Sequence, residues 1–180
     1  MEFDFSCHYF ELFGLEKSFQ LDSAQLASQY QQLQSRYHPD RYVDSDEKDK
    51  RLAMQATTFI NEAYKTLSDQ QSRARYMLEL EGVAFDVEQD TTQDMDFLMA
   101  QMQLREQIDE ADQQQNPLDL LDELSSQAKR EKQALAESFQ KHYLNKQWQQ
   151  AKQVVLKLQF FARLQQQISQ KQETIEEELM

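Results

Sequence analysis

RYHPDRY, residues 36–42, interrupts a run of apolar side chains at helical spacing and is followed by a second such run. Before it, Asp22 and Gln25 form an acceptable capping-box pair, and Leu26, Tyr30, Leu33 and Tyr37 step by four, three and four along one helix face. Pro39 has no amide hydrogen and disfavours the α conformation at His38, so this helix stops near Tyr37. The second run opens after Ser45, carries the charged stretch DEKDKR at its exposed start, and lines up Leu52, Ala56, Phe59, Ala63 and Leu67. Two amphipathic helices joined in this way pack stripe to stripe and antiparallel, which puts His38, Pro39 and Asp40 in a loop at the end of the hairpin. A short helix over Tyr9–Phe13, closed by Gly14, and another over Ser72–Leu80, closed by Gly82, cover the open side.

Beyond Gly82 the composition shifts. Between Asp86 and Asp112 there are nine acidic residues and one basic residue, Arg105. Helical patterns follow at about Thr92–Asp112, Pro117–Tyr143 and Asn145–Gln172; Asn116 and Pro117 read as a cap and a first-turn proline. The expectation is an all-α chain: residues 1–80 as the hairpin domain, 81–91 as a linker, and 92–172 as an antiparallel three-helix bundle. An acidic tail over 173–180 either continues the last helix or frays. Val83, Ala84 and Phe85 are apolar enough to dock between the halves. Only two glycines and two prolines in 180 residues speak against a turn-rich β fold.

The charge balance excludes several functions. A net charge of −13 opposes binding to nucleic acid, whose affinity comes mainly from lysine and arginine neutralising phosphates. No apolar run is long enough to span a membrane, and MEFDFSCHYF lacks the basic and apolar regions of a signal peptide. Cys7 is the single cysteine, so neither an intrachain disulfide nor a cysteine-cluster zinc site is available, and a cytoplasmic location fits. His8 and His142 lie far apart in sequence and read as structural, so no metal site is expected. No glycine-rich phosphate loop is present, and neighbouring acids such as Asp109 and Glu110 splay on a helix; neither a cofactor nor catalysis by this chain is expected.

In the second half, two helices carry more apolar residues than one buried face needs. At about 100° per residue, Phe97, Ala100, Leu104, Ile108 and Ala111 form a core stripe. Leu98, Met99 and Met102 point the other way, in line with Glu106 and Glu110. In the last helix Trp148, Ala151, Val155, Leu158, Phe161 and Ile168 make the core stripe, while Leu156 and Phe160 are expected to face away. Surplus apolar patches edged with carboxylates suggest a protein-binding surface, and methionines adapt their shape to such a role.

The first 80 residues resemble a J-domain, the module by which co-chaperones stimulate the ATPase of DnaK-type chaperones: HYFELFGL at 8–15, HPD between two long helices, INEAYKTLSD at 60–69 and RARYML at 73–78. The resemblance implies that His38, Pro39 and Asp40 engage the chaperone's nucleotide-binding domain, with Arg36 and Arg41 beside them and Asp40 meeting a basic residue. J-domains usually carry a strip of lysine and arginine before HPD, whereas Asp22–Tyr37 holds only Arg36; Gln70 replaces a usual proline. DFLMAQMQLREQIDE at 96–110 and LKLQFFARL at 156–164 resemble the carboxy-terminal domain of the HscB family, co-chaperones of iron-sulfur cluster assembly. That resemblance implies two partners, the chaperone HscA and the scaffold protein IscU, with IscU bound by Leu98, Met99, Met102, Glu106, Glu110 and Phe160. Gln103 stands where the family often has an acid. A monomer that performs no covalent chemistry is expected. Two other readings stay open at this point: a structural adaptor in which HPD is only a turn, and a J-domain protein serving a different client.

Overall fold

The structure, a computed structural model, describes residues 2–86, 90, 92 and 94–179. Seven α-helices appear among them and no strand: α1 Tyr9–Leu12, α2 Ser23–Tyr37, α3 Glu47–Ser68, α4 Gln70–Leu80, α5 Met95–Asp109, α6 Pro117–Leu144 and α7 Trp148–Leu179. The chain divides into two compact units, Met1–Met77 and Leu78–Met180.

In the first unit each helix boundary has a local cause. The Asp22 carboxylate accepts hydrogen bonds from the amides of Ala24 and Gln25, fixing the start of α2, and Asp46 accepts from Asp49 at the start of α3. Gln70 begins α4 without a proline because Asp69 does the capping, its side chain accepting from the Ser72 amide at 2.7 Å. Gly14, at φ +62°, lets the chain turn left-handed after α1, so that the Leu15 amide reaches back to the Phe10 carbonyl. The interior is built from Leu26 and Tyr37 of α2 facing Ala53, Ala56, Ile60, Ala63 and Leu67 of α3, with Phe10, Phe13 and Phe19 completing it. Small alanines on α3 allow a close approach of the two helices, and Tyr30 stacks on Tyr64 across them at 4.1 Å.

Arg73 is buried within this unit, which lowers its pKa; its guanidinium lies over the Phe19 ring and donates to the Leu67 carbonyl at the end of α3. A carbonyl left over by the last turn of α3 is thereby satisfied.

The second unit is dominated by the long antiparallel pair α6–α7, joined by Asn145–Gln147, with the shorter α5 laid against α7. Leu121, Leu124 and Ala128 of α6 share one core with Leu104 and Ile108 of α5 and with Phe160, Phe161, Leu164, Ile168 and Ile175 of α7. Two ion pairs hold α5 at its ends: Lys157–Asp94 at 2.5 Å and Lys171–Asp112 at 3.1 Å. Both carboxylates are held below the usual range, first by the hydrogen bond from the lysine in each case.

Three expectations are refined here. The acidic tail does not fray: α7 continues to Leu179, and Ile175 is buried against the core two helical turns after Ile168. Ala100, assigned to the core stripe, is exposed, and Trp148 is only half-buried, because both lie at the margin of their helix's packed arc. The linker expected over 81–91 falls partly on residues 87–89 and 91, outside the described residues; Ala84 and Phe85 sit against α7, where Lys152 donates to the Ala84 carbonyl and lies over the Phe85 ring.

Candidate functional site: a hairpin tip and an apolar helix face

A helix that stops at Tyr37 leaves its last carbonyls without intrahelical donors. Three of them are filled by side chains around the tip. The Arg41 guanidinium donates to Ser35 O at 2.9 Å, the Tyr42 hydroxyl to Arg36 O at 3.0 Å, and the Thr57 hydroxyl of α3 to Tyr37 O at 2.9 Å. The chain between the helices is therefore not a slack loop. Pro39–Tyr42 form a 3₁₀ turn with Pro39 in its first position, where a missing amide hydrogen costs nothing. Proline thus ends one helix and starts the next turn, of which the sequence reading had only the first half.

At this tip His38 acts as the cap. Its Nδ1 accepts from the Asp40 amide at 3.3 Å and lies 3.6 Å from the Asp40 carboxylate. The Asp40 side chain is 86% exposed, so a fixed backbone presents an almost fully solvated negative charge. Arg36 lies over the Tyr37 ring at 5.3 Å; together with Arg41, Ser28, Gln31, Gln32 and Ser35 it lines a shallow depression on the outer face of α2. All five residues predicted for chaperone contact are thus brought to one end of the hairpin. Thr57 and Tyr42, which brace the tip, were not foreseen. Tyr42 stands within the decisive stretch itself, but Thr57 has no local signal, since its role depends on which turn of α3 passes the end of α2.

On α5 the predicted face is present. Met99 and Met102 are 60% and 73% exposed, Met95 joins them on the same side, and Glu106 and Glu110 are exposed beyond them. Leu98 is half-buried. Phe160 needs a correction: expected to face away from the core, it is only 6% exposed and lies within it. The physical reason is that α7 packs on both α5 and α6, so its buried arc is wider than a single stripe. Phe160 fills the α5 side, edge-on to Phe97 at 5.6 Å and to Phe161 at 5.1 Å. One edge of its ring still reaches a small cavity of about 140 Å³ whose wall it shares with Leu98 and Leu156.

Among the described residues no group of three or more histidines, cysteines or carboxylates is placed to hold a metal, and no helix is long and apolar enough to cross a membrane. His8 caps α1 and His142 bonds to Gln147 at 2.7 Å, so both histidines outside the tip have structural partners.

Comparison with known proteins agrees with this division of the chain. Residues 8–76 match the family model described as the DnaJ domain, and residues 93–169 match the one described as the HSCB C-terminal oligomerisation domain. A "Co-chaperone protein HscB homolog" of Vibrio vulnificus is 40% identical over 173 residues, covering 96% of this chain and 98% of that protein. Among solved structures, the chaperone HscB from Vibrio cholerae superposes with a TM-score of 0.84 at 33% identity, covering 97% of this chain and all of that one. The human co-chaperone protein HscB gives 0.85 at 28% identity, over 93% of this chain and 83% of the human one. With a J-domain whose helical hairpin carries an exposed HPD tip, a helical second unit and likeness along nearly the whole length, the chain belongs to the HscB family of J-domain co-chaperones.

Proposed function

We propose that this co-chaperone acts in the cytoplasm in iron-sulfur cluster assembly, binding the scaffold protein IscU on α5 and presenting it to the DnaK-type chaperone HscA, whose ATPase the HPD tip stimulates. The observation that carries the reading is the tip itself, a capped helix end that holds out the Asp40 carboxylate, 86% exposed and 3.6 Å from His38 Nδ1. A charge held on a stiff backbone forms a directional, charge-assisted hydrogen bond with an arginine on the chaperone while losing little conformational freedom. Stimulation then consists of differential binding to the hydrolysis-competent state of the chaperone, and the chain itself makes or breaks no covalent bond. Leu98, Met99 and Met102, flanked by Glu106 and Glu110, supply the cargo side: an adaptable apolar face with a carboxylate rim.

Holding cargo on one unit and the trigger on the other raises the cargo's effective concentration at the chaperone. In steady-state ATPase assays, HscA with this protein and IscU together is expected to turn over faster than with either alone. Identical rates with and without IscU would reject the delivery role.

A further inference from the structure

α7 carries four cationic side chains, Lys152, Lys157, Arg163 and Lys171. Three of them sit in ion pairs within the second unit, with Asp90, Asp94 and Asp112. Among the described residues Arg163 has no such partner, although the chain holds 32 acidic residues against 19 basic ones. Arg105, the single base of α5, is likewise without a carboxylate partner among the described residues, and its guanidinium lies over the Phe160 ring at 5.6 Å. Both arginines line the cavity already noted, whose apolar wall is Leu98, Leu156 and Phe160. Asp90, also on its rim, is engaged by Lys152 at 2.8 Å.

In a protein of this charge a guanidinium has many carboxylates to choose from, and two without one beside a largely polar cavity, lined also by Thr92, Gln101 and Gln159 and floored by Leu98, Leu156 and Phe160, mark a place for an anion from outside. The cavity is too small for more than the end of one side chain. Guanidinium matches carboxylate in shape as well as charge, and the ring beneath Arg105 limits the rotamers it must give up on pairing. We propose that Arg105 and Arg163 form a receptor for one aspartate or glutamate side chain of the cargo protein, seated next to an apolar cargo residue that packs on Leu98. This rests on the reading that α5 binds the scaffold protein, and it adds a second type of contact. The methionine face then supplies apolar area, and the arginine pair fixes the register in which the cargo docks.

Calorimetric titration of the full chain with IscU tests it. Arg163→Gln is expected to weaken binding about tenfold, Arg163→Glu more, and Arg163→Lys less than either. Arg130→Gln, an equal charge change on the exposed surface of α6, should leave affinity unchanged. Arg163 is exposed, so its variants should keep the wild-type melting curve, which removes misfolding as an explanation. If Leu98→Ala weakens binding while every Arg163 variant binds as wild type, the arginine receptor is overturned and the scaffold-binding reading stands. Equal losses for Arg163→Gln and Arg130→Gln would overturn it as well, since net charge alone would then explain the effect. If the wild-type chain does not bind IscU, both readings fall.

Discussion

Asp40→Asn is expected to reduce stimulation of the chaperone ATPase by on the order of tenfold to a hundredfold, the range set by losing one hydrogen bond between charged groups. Asparagine keeps the size of the side chain and the backbone amide that His38 accepts from, and the bonds that bind Arg41, Tyr42 and Thr57 to the end of α2 do not involve the Asp40 side chain. The melting temperature should therefore stay at the wild-type value while activity falls. An Asp40→Asn protein that stimulates as well as wild type would show that the tip's charge is not the trigger. One that unfolds at lower temperature would show that the 3₁₀ turn depends on the carboxylate, contrary to its 86% exposure.

The second large effect separates stability from cargo binding. Phe160→Ala is expected to destabilise the second unit by about 3–4 kcal/mol, because it removes a ring that packs against Phe97, Phe161 and the Arg105 guanidinium and leaves a cavity among large neighbours. Replacing Met99 and Met102 together by alanine should do the reverse: both side chains are mostly in water, so melting should hardly change while affinity for the scaffold protein drops. Chemical denaturation followed by circular dichroism, set beside calorimetric binding, reads both quantities. A Phe160→Ala protein with wild-type stability would contradict its place in the core. Unchanged affinity in the double methionine variant would remove α5's exposed face from the cargo site. Loss of binding in Phe160→Ala alone decides nothing about contact, since a partly unfolded bundle also fails to bind.

The hairpin and its tip were legible in the sequence because their causes are local. The spacing of Leu26, Tyr30, Leu33 and Tyr37, the cap at Asp22 and the stop at Pro39 all act within a few residues, and the structure places each where those rules put it. Phe160 was misplaced for the opposite reason. A periodicity argument assigns one buried stripe to a helix, whereas the number of neighbours α7 acquires depends on where α5 comes to lie, which the α7 sequence does not encode. The same limit hid the arginine pair: Arg105 and Arg163 are 58 positions apart, and only the packing of α5 on α7 brings them to one cavity. Thr57 is the third case, a hydroxyl whose use is set by the pitch at which α3 crosses the end of α2.

The slender attachment of α5 has a kinetic side. It buries Leu104 and Ile108, whereas α6 buries five side chains and α7 has buried residues from Ala151 to Ile175. Local opening follows the least anchored segment, so amide protons on α5 are expected to exchange with solvent sooner than those of the α6–α7 pair. On the proposed reading, a cargo that settles on this helix would close it down, and part of its intrinsic affinity would be consumed in ordering. Grip would then be moderate and release quick, as suits the proposed carrier, which hands its load to another machine.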